Sequence, residues 1–259
     1  MTGDEPVFSR IKMETFDFGS GPVPAHRHRN PDGALGGWVA DTAIVAETVI
    51  VTSNAQVFGE AHLSGNVQVF NLAQVFDDAR LSDNACVFGN ARIYGKAHIS
   101  DNACVFNAAW IFDDAQVFGD VKISGMAQVF GSVRVLDNAR VSGNSKVFDN
   151  AKIFDNAQVY GYAEVYGNSR VFNNAKVLDS ANIFGNSEVF GNARVFDFAE
   201  IFGDAQVLDN ATVSGNAFVS GDAQISGNAK VSGETKISGN TEISGTALPI
   251  CSAPSVLGW

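Results

Sequence analysis

The feature that most constrains this chain is an unbroken period of six. Residues 39–248 divide into 35 consecutive hexapeptides without an insertion or deletion, within a chain of 259 residues. The first residue of each unit, from Val39, Val45, Val51, Val57 and Leu63 onward to Ile243, is always Val, Ile or Leu. The fifth, from Ala43 and Val49 onward to Ala247, is Ala, Ser, Thr or Val, and it is Ala in 26 of the 35 units. Between the small residue and the next large one stands a residue such as Gln56, Arg92, Lys146 or Glu188. The triplet Ala-x-Val therefore reads in-out-in, the alternation a β-strand imposes. The third and fourth positions are mostly Gly-Asn, Asp-Asn, Gly-Asp or Asp-Asp, as in Gly89-Asn90 and Asp155-Asn156. Gly, Asn and Asp tolerate left-handed backbone angles, so these dipeptides make tight corners.

Short strands joined by a corner every six residues cannot bury a face alone, and they must coil and stack. Three sides per turn give 18 residues, and 35 units give about 11.7 turns. At ~4.8 Å between paired strands the coil is a rod of roughly 55 Å. Hydrophobic residues at 46%, charged residues at only 17%, 26 Gly and 6 Pro suit such a β-rich, turn-dense chain and do not suit disorder. The expected fold is all-β: a parallel β-helix solenoid of about 11 to 12 turns over residues 39–248. A cap segment precedes it at residues 1–38, where Pro22, Pro24 and Pro31 suggest an extended stretch over the open end, and a tail follows at residues 249–259.

An aliphatic residue with a small residue four places later resembles the bacterial transferase hexapeptide-repeat superfamily, and the likeness spans residues 39–248. The lead-in at residues 30–43, Asn-Pro-Asp-Gly-Ala-Leu-Gly-Gly-Trp-Val-Ala-Asp-Thr-Ala, is also similar to the start of uncharacterised acyltransferase-like hexapeptide proteins of bacteria and their phages. The resemblance implies left-handed coiling, an exception to the usual crossover rule. It also implies a cyclic trimer, and acyl transfer by a histidine base in a cleft between subunits.

Because the register never slips, residues 18 apart stack, and the outer surface reads as columns. One column holds Phe58, Phe76, Tyr94, Phe112, Phe130, Phe148, Tyr166, Phe184 and Phe202, nine successive turns. It is expected to form an aromatic ladder along the rod, with a contact surface as the competing reading. At another corner Phe70, Leu72, Phe88, Phe106, Ala108, Met126, Tyr160, Tyr162, Phe196 and Phe198 line one edge, with Trp110 and Phe218 outward on the following strand. A turn gains nothing locally from Phe198 or Tyr162 where Asn is the norm, so this edge is expected to be an oligomer interface. Two further columns carry Arg80, Arg134, Lys152 and Arg170, and Lys122, Arg140, Lys176 and Arg194. Several lie beside aromatic residues, as Lys152 does beside Phe154 and Arg170 beside Phe172. The plain reading is solvated strand charge. The sharper one is a groove for an anionic small molecule such as a nucleotide, held by charge and stacking.

The chemistry offers less. His62 and His98 share a column about two turns, ~10 Å, apart, too far for a shared metal, and they are the available bases for acyl transfer. Their coil has no loops to shape an acceptor site. No phosphate loop, nucleophile elbow or carboxylate pair is present, so no metal and no cofactor is expected. A net charge of −11 argues against direct binding to nucleic acid or an anionic membrane. It leaves open an acidic mimic that binds a DNA- or RNA-handling enzyme. Cys86, Cys104 and Cys251 lack metal or disulfide spacing, and residues 1–16 carry no signal-peptide core, which suggests a cytoplasmic setting. The leading expectation is a non-enzymatic oligomeric binding or scaffold protein.

Overall fold

The fold follows from the alternation of one large and one small inward residue. A computed structural model describes residues 14–250, and every regular element among them is a β-strand. The first three are β1 (Thr15–Asp17), β2 (Pro22–Arg29) and β3 (Leu35–Ala40). From Ile44–Val45 onward a short strand recurs every six residues. The chain visits three walls in rotation, so each coil strand pairs in parallel with the one a full turn later. The first wall begins at β3, the second at Ile44–Val45 and the third at Ile50–Val51. β1 and β2 join the first wall antiparallel, giving it 14 strands against 12 in each of the others. The molecule is thus an all-β parallel solenoid of 18-residue turns. Pairs such as Trp38↔Gln56, Arg80↔His98 and Cys86↔Cys104 are 18 residues apart. Among the described residues the register shifts only at the ends, between Arg27 and Arg29 and between Asn228 and Lys230.

The interior is a single column of aliphatic contact. Large residues such as Val57, Leu63 and Ile93 and small ones such as Ala61, Ala91 and Ala97 are 0% exposed. Ala recurs because three walls converge just before each strand, and a longer side chain there overpacks the core. Ser145, Ser169 and Ser187 occupy the same slot and are also fully buried. Each hydroxyl donates to the carbonyl three residues back, Ser142, Tyr166 and Phe184 respectively, at 2.8–2.9 Å. These bonds close the corner and leave no buried hydroxyl unpaired.

The N-terminal edge is sealed by side chains rather than by another coil strand. Asn30 donates to the Val51 carbonyl at 3.2 Å and accepts from the Val51 amide at 2.9 Å, standing in for a missing neighbour strand. His28 is buried, and its Nε2 lies 2.9 Å from the Val49 carbonyl, which can only accept, so that nitrogen carries the proton. The chain then crosses at residues 36–37, where a β-carbon on either Gly would stand 2.1 Å from a carbonyl oxygen, of Val51 and of Ala55. The Gly-Gly step is therefore a requirement of close approach.

From Gly59 onward each corner turns on one residue with positive φ. Among the described residues every non-Gly example is Asp or Asn, with φ between 56° and 61°. The Asp side chain has a second task, since its carboxylate accepts from the corner amide one turn later. After the first wall Asp77, Asp113 and Asp149 receive Gly95, Gly131 and Gly167 at 3.1–3.2 Å. The column there reads Asp-Gly-Asp-Gly-Asp-Gly over residues 77–167, the aspartate bonding where the glycine donates. Replacing Asp113 by Ala puts a side chain without a local polar contact into a left-handed conformation, at about 1–2 kcal/mol, and also removes the bond to Gly131. Asp113→Gly loses only the bond. Thermal unfolding followed by circular dichroism should show Asp113→Ala melting below Asp113→Gly, and both below the parent.

Candidate functional site

The outward side chains sort themselves by where on the six-residue unit they stand. Residues just after the large aliphatic position lie along the corner and stack on their equivalents. The ladder from Phe58 to Phe202 does this without a break, with centroids 4.7–5.1 Å apart and planes within 4° of parallel. All nine rings are half-buried. Burial pushes the Tyr94 and Tyr166 phenols above their usual range, with nearby carboxylates adding to it. The aromatic column is a stacked structural ladder.

The ladder also reaches into the cap, which sequence reasoning did not find. Ala40 occupies the ladder position in the first turn, and Phe18 from the cap stacks on Phe58 at 4.8 Å above it. Phe16 stacks on Trp38 at 4.7 Å, and the Arg27 guanidinium covers the same indole at 5.5 Å. The available signal was the two-residue spacing of Phe16 and Phe18 upstream of an alanine that interrupts the aromatic column. Beside these rings Phe18, Val23, Pro24, Ala40 and Phe58 line an apolar cavity of about 400 Å³.

At the corner between the third and first walls the structure divides the aromatic edge in two. Phe70, Phe88, Phe106, Tyr160 and Phe196 are half-buried, Phe88 stacks on Phe106 at 4.9 Å, and Arg194 covers Phe196 at 5.6 Å. Leu72, Met126, Tyr162 and Phe198 stand at the apex instead, exposed to 58%, 63%, 66% and 64%. Trp110, on the first wall nearby, is 37% exposed under the Arg92 guanidinium. Ala108, Asn144 and Ser180 fill the apex between the large residues, so Met126, Tyr162 and Phe198 project on every second turn.

The cationic columns are also brought into register. On the second wall Arg134 pairs with Lys152 and Lys152 with Arg170, one strand apart. Arg170 lies over Phe154 and Phe172 at 5.5 and 5.2 Å and bridges to Glu188 at 2.7 Å. On the third wall Lys122 faces Arg140, and Lys176 faces Arg194. His62 and His98 flank Arg80 on the second wall, exposed on a flat face. His26 is held elsewhere, its Nδ1 2.8 Å from Asp41. Among the described residues no three metal-ligating side chains converge, and no helix is long and apolar enough to cross a membrane.

Comparison with known proteins returns the repeat. The pattern of one family, the YdcK beta solenoid repeat, matches residues 205–222, one full turn that includes the core residues Val207, Val213 and Val219. No curated protein matches the chain.

Cys86 and Cys104 are half-buried register partners and both thiols are free. Burial, reinforced by Cys104, pushes the Cys86 thiol from 9.0 up to about 11. An unfolded chain loses this proton near 9.0, so the neutral thiol's contribution to stability is complete below that pH and lost as pH rises towards about 11. Alkylation of Cys86 by iodoacetamide, mapped by peptide mass spectrometry, should accelerate with a midpoint near 11, whereas a midpoint near 9.0 would show a thiol open to solvent.

Proposed function

We propose that this protein is a non-enzymatic scaffold rod that assembles with copies of itself through the corner between its third and first walls. The observation that carries this reading is the apex row of Leu72, Met126, Tyr162 and Phe198, each more than half exposed where Asn, Ser, Ala or Glu otherwise stands. A large apolar side chain on a tight turn has no local partner, and a row of four along one line exceeds the scattered exposure of an ordinary surface. The row is one residue wide on a convex corner. That shape makes a poor flat interface, but it fits a rotation axis on which the same corner of every copy converges. A cyclic trimer is the state favoured, in keeping with the likeness to hexapeptide-repeat transferases.

The free energies set how firmly such an assembly holds. Burying each apex residue contributes about 1.5–3 kcal/mol, against an association cost of about 4–15 kcal/mol. No single residue decides the outcome, and loss of two should tip it. Acyl transfer has weaker support, because His62 and His98 stand on an uninterrupted flat wall with no loop of the described residues over them. A reducing cytoplasm suits the free Cys86 and Cys104 thiols.

Native mass spectrometry and light scattering should find the parent as a trimer. Tyr162→Asn with Phe198→Asn places the common apex residue at both positions, so the circular dichroism should stay unchanged while the species shifts to monomer. A parent that is monomeric at all concentrations, or a double variant that stays trimeric, would overturn the assignment.

A further inference from the structure

We propose that Arg134, Lys152 and Arg170 on the second wall form a seat for a linear oligophosphate chain. Like charges directly opposite one another on paired strands repel, and the pairing of Arg134 with Lys152 and of Lys152 with Arg170 sets three in succession. At ~4.8 Å per strand the three span roughly 10 Å. Among the described residues no carboxylate forms an ion pair with Arg134 or Lys152; only Arg170, at the C-terminal end, has one, with Glu188 at 2.7 Å. No ion pair among the described residues offsets the repulsion at Arg134 or Lys152, and an anion lying along the column relieves it.

The head groups are also placed in advance. The Arg134 guanidinium rests on Phe118 at 5.6 Å and that of Arg170 on Phe154 and Phe172, so two planar forks are held against rings with Lys152 between them. Side chains ordered before binding lose less freedom when the ligand arrives, and a guanidinium fork matches the oxygens of a phosphoryl group. The corner before the column carries Ser132, Asn150 and Asn168 at its fourth positions and one carboxylate, Asp149, which accepts from the Gly167 amide.

Shape and charge around the column select among anions. The corner after it carries Asp137 and Asp155, and the N-terminal half of the preceding corner carries Asp77, Asp78, Asp113 and Asp114. These carboxylates border a strip one side chain wide, and they repel a broad polyanion such as a nucleic-acid duplex or an anionic bilayer. A nucleobase gains little here either, because Phe154, Phe172 and Phe190 already stack on each other at 4.8 Å and have no free face between them. The recognised chemistry is the phosphate chain alone. The second wall lies opposite the apex row, so the seat is open in a single chain and in a trimer, and it does not depend on the assembly.

The test is equilibrium dialysis of the full chain at low ionic strength against orthophosphate, pyrophosphate and tripolyphosphate. Affinity should rise with chain length, by about tenfold or more from the first to the last as further charge-assisted contacts form. Lys152→Gln, an outward substitution to a residue common at this position, should weaken tripolyphosphate about tenfold. Lys176→Gln, on the third wall beside Arg194, should leave it unchanged. Absence of tripolyphosphate binding, equal affinity for the three anions, or equal loss in the two variants would overturn the seat. Tight binding of duplex DNA or phosphatidylserine vesicles that is abolished by Lys152→Gln would overturn the narrow-chain assignment.

Discussion

Because every turn has the same length, each position in the coil lies directly above and below its own equivalents. Almost everything else in the molecule follows from that constraint. In most folds a side chain is chosen against different neighbours, but here it is chosen against copies of its own column. Columns that gain from self-contact prosper: aliphatic residues inside, rings in the ladder from Phe58 to Phe202. Columns that suffer from it need a remedy. The corner after the first wall alternates Asp with Gly, so that a carboxylate meets an amide donor. The second wall has no such remedy at Arg134 and Lys152, and Glu188 answers only Arg170 at the end of the run, which is why that stretch stands out from ordinary solvated charge.

The amide columns show the same constraint with a direction added. Asn66 donates to Asn84, Asn84 to Asn102, and Asn102 to Asp120, at 2.9–3.1 Å. A second run passes from Asn150 through Asn168 and Asn186 to Asp204. An amide both donates and accepts, whereas a carboxylate only accepts. The terminal Asp therefore fixes which way its neighbouring Asn points, and that amide fixes the next. One charge at the end of these two runs fixes their orientation, whereas a third run, from Asn156 through Asn174 and Asn192 to Asn210, keeps the same direction without a terminal carboxylate.

How much of this was legible beforehand depends on whether a feature repeats. The wall, the corner and the inward pair were readable because 35 units vote on each position, so weak residue preferences add up to a firm pattern. The aromatic ladder was readable for the same reason, since it is one column of the same lattice. Features that occur once were not. The docking of Phe18 over Ala40 depends on an antiparallel return of the cap that no period announces, and Gly36 and Gly37 matter only because a carbonyl happens to pass beside them. The aromatic edge was visible as one set. Its division into covered residues such as Phe88 and projecting ones such as Tyr162 needed the three-dimensional path of the corner.

Two of the patterns share a longer rhythm than the core. The Asp and Gly alternation after the first wall and the projection of Met126, Tyr162 and Phe198 both repeat over two turns, 36 residues, although the interior repeats over six. The core is therefore indifferent to whether a lineage gains or loses one turn, but these outer columns are not. Deleting a single turn between Tyr162 and Phe198 would preserve every buried contact type while bringing the two projecting rings onto adjacent turns. Between Met126 and Phe198 a change in length is thus constrained in parity by the surface, and there a change in pairs of turns is the one that leaves both inside and outside intact.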